Sequence, residues 1–150
     1  MIHVLDANAL MYLEAQRLPV PRKLQAYVPD EIKDEFLSNP RSEAWFEKSE
    51  FVKLRIDEAE YLTEYARILN DYPDVSFYKL KGFGDVAILA SVGLLVRQLA
   101  PDELLFADLL FEDVIAIVSG DGRLRDYAAD WLGKKVKLRT PEEFAAIVRS

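Results

Sequence analysis

Apolar positions along the chain follow two periods, and their alternation predicts strands interleaved with helices. Ile2 to Leu5 is a short apolar strand, followed by a helix through Ala9 to Gln16 that must stop before Pro19 and Pro21. Ala26 to Val28 predicts a second strand, and Pro29 opens a helix running to about Leu37. Ser38-Asn39-Pro40 breaks the chain, and Glu43 to Lys48 predicts a short helix. Phe51 to Ile56 alternates as a strand does. Asp57 to Asn70 is an amphipathic helix with Tyr61, Leu62, Tyr65 and Leu69 on its apolar face. Past Tyr72-Pro73 an irregular stretch leads to Gly82-Phe83-Gly84. Asp85 to Arg97 is then apolar almost all round and predicts a buried helix. Pro101 predicts the start of a further helical stretch to about Leu110, and Val114 to Ser119 is a β-branched run suited to a central parallel strand. Arg123 to Leu132 reads as helix and Lys135 to Leu138 as a last strand. Thr140-Pro141-Glu142-Glu143 opens the final helix as a capping box, with Thr140 at the N-cap, Pro141 at N1 and Glu143 at N3.

This order predicts an α/β domain of three layers, with helices on both faces of a mostly parallel sheet of about five strands. No repeat, low-complexity tract or Gly/Ser linker divides it, so residues 1–150 form one expected domain. A content of 51% hydrophobic and 30% charged residues belongs to a globular protein with a core, not to a disordered chain. Apolar stretches such as Val86 to Val96 are too short and interrupted to span a bilayer, and no basic segment precedes an apolar one at the start. A cytoplasmic address is the default expectation. The absence of cysteine excludes disulfides, thiolate metal sites and cysteine nucleophiles.

In a parallel sheet, ligand sites lie beyond the carboxyl ends of the strands, and several acids stand there. The first strand ends in Asp6-Ala7-Asn8, and the second leads into a helix carrying Glu31, Asp34 and Glu35. The Val114 strand ends in Ser119-Gly120-Asp121-Gly122, and Asp85 opens the most apolar helix. Each has an ordinary structural reading: Asp6 and Asp85 as helix caps, Asp121-Gly122 as a turn, Glu35 on a solvated helix face. Taken together they could converge, and converging carboxylates repel unless a cation compensates them. Oxygen donors suit a hard divalent ion such as Mg²⁺ or Mn²⁺, which can activate water and stabilise charge on a phosphodiester. That chemistry needs no cysteine and no histidine; His3, the single histidine, lies within the first strand and reads as a packed residue.

The net charge of −7 counts mildly against a nucleic-acid partner. The local distribution counts mildly for one: basic residues gather at Lys79 and Lys81, at Arg123 and Arg125, and at Lys134, Lys135, Lys137 and Arg139.

Four segments carry a resemblance to the PIN-domain nucleases, and it covers nearly the whole chain. Val4-Leu5-Asp6-Ala7-Asn8 resembles the family's first motif, an Asp at the end of strand one with Asn two residues on. Val28-Pro29 with Ile32 and Glu35-Phe36 resembles the second, an acid on the helix after strand two. Gly84-Asp85-Val86-Ala87-Ile88-Leu89-Ala90 resembles the third, and Ile117-Val118-Ser119-Gly120-Asp121 with Leu124 the fourth. The resemblance implies a PIN-like fold and a Mg²⁺- or Mn²⁺-dependent endoribonuclease acting on single-stranded RNA. Asp6, Glu35, Asp85 and Asp121 would be its metal-binding catalytic set, with Asn8, Ser119 and Glu31 in support. Glu31 competes with Glu35 for the second position. Lys79, Lys81, Arg123 and Arg125 are candidates for RNA phosphates, although each also reads as surface charge.

Within the family, the Phe51 to Ile56 segment and the helix after it look most like archaeal PIN nucleases that trim small-subunit ribosomal RNA. The zinc ribbon usual in those proteins needs cysteines, and residues 1–150 contain none, which counts against a ribosomal role. Toxin-type PIN proteins of toxin–antitoxin pairs are also similar in their motifs. Expected partners are thus an antitoxin or a ribosomal RNA-processing factor, besides a second copy in a homodimer. Two other classes compete: a PIN-like module that binds RNA or protein without catalysis, and a response-regulator phosphoacceptor domain, which Asp6-Ala7-Asn8 fits poorly.

Overall fold

The computed structural model describes residues 1–72, 83–103, 115–132 and 136–150. Four strands among them form one parallel sheet: β1 (Ile2–Leu5), β2 (Ala26–Tyr27), β3 (Ile115–Val118) and β4 (Lys137–Arg139), in the order β2-β1-β3-β4. Val4, Leu5 and every residue of β3 are buried. Successive strand residues point to opposite faces, so burial of all of them means both faces of the central strands are covered. The helices are α1 (Ala7–Ala15), α2 (Asp30–Leu37), α3 (Glu43–Lys48), α4 (Glu58–Asp71), α5 (Phe83–Glu103), α6 (Gly122–Leu132) and α7 (Pro141–Arg149). Helix α5 packs on β1, β3, α2, α4 and α6, while α1 packs on α2 and α7. The arrangement is α/β and compatible with three α/β/α layers. Among the described residues no helix is long and apolar enough to cross a membrane.

Three expectations are corrected. The sheet has four strands among the described residues, not five, because Phe51 to Ile56 does not pair as a strand. That segment touches the sheet edge at one point, where the Val52 amide donates to the Ala26 carbonyl at 2.9 Å. Its neighbour β2 is two residues long and turns at Pro29 into α2, so no ladder extends past that bond. Pro101 does not begin a new helix: α5 runs through it to Glu103. A proline there removes one intrahelical hydrogen bond; the rest of the expected 101–110 stretch lies outside the described residues. Finally, α4 buries Glu64 and Ile68, with Tyr61 and Tyr65 half-buried on the same side, whereas Leu62 is 57% exposed. The buried stripe follows the spacing of Tyr61, Glu64, Tyr65 and Ile68 and passes through a carboxylate.

The buried carboxylate has a structural cause. Glu64 is 1% exposed and pairs with Arg97 of α5 and, at 3.7 Å, with Arg67. Gly93 leaves room for it: a Cβ there would stand 3.1 Å from Glu64 Oε1. The capping box on α7 is formed as expected, with Thr140 Oγ1 accepting from the Glu143 amide and Glu143 Oε1 from the Thr140 amide, both at 3.1 Å.

Candidate active site

Strand order locates the site. From β1 the chain moves to β2 on one side of the sheet and later to β3 on the other, so the order reverses between β1 and β3. A crevice opens at the carboxyl ends of strands at such a reversal. The register Leu5↔Val118 then sets Asp6 beside Ser119, and the Asp6 amide continues the ladder by donating to the Val118 carbonyl at 3.0 Å.

A polar network closes over this point. Asp6, 5% exposed, caps α1 by accepting from the Ala7 amide on Oδ1 at 2.8 Å. Its Oδ2 accepts from Ser119 Oγ at 2.9 Å and from Asn8 Nδ2 at 3.1 Å. Asn8 also reaches across the strand ends, where its Oδ1 accepts from the Gly120 amide at 2.8 Å. Fully buried Ser119 accepts in turn from the Asp121 amide at 3.0 Å. Asp121 Oδ1 receives the amides of Arg123 at 2.9 Å and Leu124 at 3.3 Å, which makes it the cap of α6. Thus Asp6 and Asn8 after β1, and Ser119 and Asp121 after the adjacent strand β3, form one hydrogen-bonded unit.

The other expected residues are distributed around it. Asp85 is 7% exposed at the opening of α5, the helix that packs on β1 and β3. Glu35 is half-buried on α2 and lines a cavity together with Ala7, the residue after Asp6. Glu31 is drawn elsewhere: its Oε1 accepts from Tyr61 Oη at 2.8 Å, in a second cavity lined also by Tyr27 and Asp30. Burial and then the Glu31 carboxylate push the Tyr61 phenol upward. Burial, then Asp30 and Glu31, raise Tyr27 to about 12. Both therefore remain protonated donors near neutral pH.

Arg123 is exposed and Arg125 half-buried at the start of α6. Sequence reasoning placed Arg139 only within a basic run, yet the structure sets it with Arg125 around Glu143. Hydrogen bonds from Thr140 hold the Glu143 carboxyl below its ordinary range, and the two guanidinium groups add to that. Parallel pairing of β3 with β4 sets Arg139 beside Val118, near the start of α6 that carries Arg125, and local sequence carries no sign of it. Lys79 and Lys81 lie outside the described residues.

His3 is packed as expected. Its Nδ1 lies 2.7 Å from the Leu24 carbonyl and its ring centroid 5.0 Å from that of Phe144. Burial lowers its pKa against the opposing effect of that hydrogen bond, so the ring is neutral at neutral pH.

Among the described residues, no three His, Asp or Glu side chains stand close enough together to enclose a metal ion. The donor set nonetheless consists of oxygen, and a magnesium-type ion usually takes one or two carboxylates and keeps several waters. Asp6 and Asp121, joined through Ser119, suit such a water-rich site better than a closed cage. No protein-family model matches the chain, and no curated protein or solved structure is significantly similar to it.

Proposed function

We propose that this chain is a PIN-type endoribonuclease that cleaves single-stranded RNA with Mg²⁺ or Mn²⁺. The observation that carries the reading is the unit of Asp6, Asn8, Ser119 and Asp121 at the strand-order reversal, which unites the first and fourth motifs of the resemblance. Asp6 and Asp121 would hold the ion, with Glu35 and Asp85 completing the acidic set. A divalent ion bound there supplies water activation and neutralises charge on a phosphodiester.

The chain's own residues supply position. Three hydrogen bonds fix the plane of the Asp6 carboxylate, and Asn8 ties its strand to the turn that carries Asp121. Engagement of Glu31 by Tyr61 favours Glu35 as the acid contributed by α2. Arg123, Arg125 and Arg139 stand where the third and fourth strands end and would meet RNA phosphates. A cytoplasmic setting suits such a substrate. The roles of toxin and of RNA-processing enzyme share this chemistry, and an adjacent small antitoxin gene would favour the first.

The test is cleavage of an end-labelled single-stranded RNA with Mn²⁺ or with EDTA, for wild type beside Asp6→Asn. Asparagine keeps an oxygen to cap α1 and presents an NH2 in place of Oδ2 that can donate to Ser119 Oγ, at the loss of the Asn8 contact, so the variant should fold and lose cleavage. Cutting that survives the substitution at the wild-type rate overturns the assignment of Asp6. No cutting, with no Mn²⁺ binding, leaves a PIN-like module that binds RNA or protein without catalysis.

A further inference from the structure

Residues 52–56 have the side-chain pattern of a strand and lack a strand's partners. Val52, Leu54 and Ile56 are half-buried, while Lys53 and Arg55 between them are exposed. Leu54 packs against the core cluster, which fixes one side of the segment to the molecule. The Val52 amide ties its start to Ala26 of β2. Beyond that bond, no described residue hydrogen-bonds to the amide or carbonyl of Lys53, Leu54, Arg55 or Ile56. Strand β2 cannot supply the missing partners, because it ends at Tyr27 and the chain turns at Pro29 into α2. Main-chain groups left open at a sheet edge are a template for a strand from another molecule.

A pocket for a side chain opens at the start of the same segment. Phe51, Val52 and Lys53 line a cavity of about 590 Å³ together with Leu37 of α2 and Phe46 of α3. The Phe46 and Phe51 rings pack with centroids 4.8 Å apart and give it an aromatic surface. That volume lies within the range of ligand pockets and admits a large apolar side chain.

Charge selects the occupant. In a chain of net charge −7, residues 51–56 carry two basic side chains and no acidic one. Antiparallel pairing with a second copy, centred on Leu54, would set each Lys53 opposite an Arg55, and like charges directly opposite destabilise a strand pair. An RNA strand would meet the two cations but has no repeat of donors and acceptors that matches a main-chain ladder.

We propose that residues 52–56 are the docking edge for an extended segment of a different protein. That segment adds a strand there, sets acidic side chains opposite Lys53 and Arg55, and seats an apolar side chain in the cavity beside Phe46 and Phe51. Main-chain hydrogen bonds supply affinity, while the cavity and the two charges supply specificity. The inference stands apart from the nuclease reading, because none of the acids of that site takes part.

Fluorescein-labelled heptapeptides provide the test: an anchor of Phe, Trp or Leu followed by alternating Val and Glu, and the same peptides with Lys in place of Glu. Binding is followed by anisotropy for wild type and for the double variant Lys53→Glu, Arg55→Glu. Both substituted side chains are exposed, so the variant should match wild type in circular dichroism. Wild type should bind at least one Glu peptide about tenfold more tightly than its Lys counterpart, and the double variant should reverse that order. N-methylation of alternate peptide amides, in one of its two phases, should weaken binding about tenfold by removing ladder hydrogen bonds. Amide exchange at residues 53–56 should slow in the complex. Failure of every Glu peptide to bind, equal binding to the double variant, or indifference to N-methylation in both phases overturns the docking edge. So does a labelled single-stranded RNA that binds in EDTA and is lost in the double variant while no Glu peptide binds, which assigns the cations to nucleic acid. A wild-type dimer in which the same amides are already protected overturns it in favour of a second copy.

Discussion

Replacing Ser119 with alanine removes a single oxygen from the polar unit that joins the ends of β1 and β3. That oxygen is fully buried, donates to Asp6 Oδ2 at 2.9 Å and accepts from the Asp121 amide at 3.0 Å. A hydrogen bond to a charged group contributes about 1.5–3 kcal/mol, and a neutral one about 1 kcal/mol. Water can replace part of the second, because Asp121 is half-exposed. Ser119→Ala should therefore destabilise by about 2–4 kcal/mol, or roughly 5–12 °C in Tm for a domain of this size.

A double-mutant cycle with Asp6→Ala isolates the bond itself. Asp6→Ala alone also deletes a helix cap, which costs about 1 kcal/mol, and relieves any repulsion from neighbouring acids. Both effects occur with or without Ser119 and cancel in the cycle. The expected coupling is about 1.5–3 kcal/mol, read from urea unfolding at pH 7 with unchanged m values. A coupling below about 0.5 kcal/mol is ordinary additivity and would refute the claim that Ser119 holds the Asp6 carboxylate.

Glu64 and Arg97 should respond unequally to substitution. Arg97→Ala leaves a carboxylate that is 1% exposed with Arg67 alone, at 3.7 Å, and should cost about 3 kcal/mol. Glu64→Met removes the buried charge and fills a similar volume, while half-exposed Arg97 turns to solvent, so stability in urea should change by less than about 1 kcal/mol. A larger loss for Glu64→Met than for Arg97→Ala contradicts this account. His3 supplies a pH test. Burial lowers its folded-state pKa below the unfolded value of about 6.5. The unfolded chain therefore takes up the proton first: the stability from a neutral His3 is full above pH 6.5 and is lost as pH falls through the window below it, by at most about 1.4 kcal/mol per pH unit. Thermal melts of His3→Gln should be flatter than wild type between pH 7 and 5; equal slopes would show that the ring is not buried neutral. Glu143, whose carboxyl is held low by Thr140, acts in a separate window below its ordinary 4.5.

The elements most legible in the sequence are those whose signal is local. Ile115 to Val118 is apolar at every position, and Ile2 to Leu5 at every position but His3, because both faces of a central parallel strand are covered. Thr140-Pro141-Glu142-Glu143 is legible because a capping box closes within four residues. The failures have distant causes. Glu64 reads as surface until Gly93 and Arg97, about thirty residues on, supply space and countercharge. Phe51 to Ile56 alternates correctly but meets a partner strand two residues long. Strand ends could be named in advance, but the register that sets Asp6 beside Ser119 could not.

The capping and catalytic readings of the acids, set against each other at the level of sequence, are not alternatives in the folded chain. A carboxylate has about four acceptor positions on two oxygens, and a cap uses one oxygen. Asp6 spends Oδ1 on the Ala7 amide and turns Oδ2 toward Ser119 and Asn8. Asp121 likewise takes the Arg123 and Leu124 amides on Oδ1. The cap is thus what fixes the orientation of each acid at the sheet edge. In a parallel sheet every strand end is followed by a helix start, so the residue type that caps the helix stands in the same place as the one that can bind a cation. A functional Asp there carries no local mark to distinguish it from a structural one. The distinguishing sign is the second oxygen and what reaches it: at Asp6, Ser119 from the end of β3 and Asn8 from the first turn of α1, which on the proposed reading hold the carboxylate for an ion.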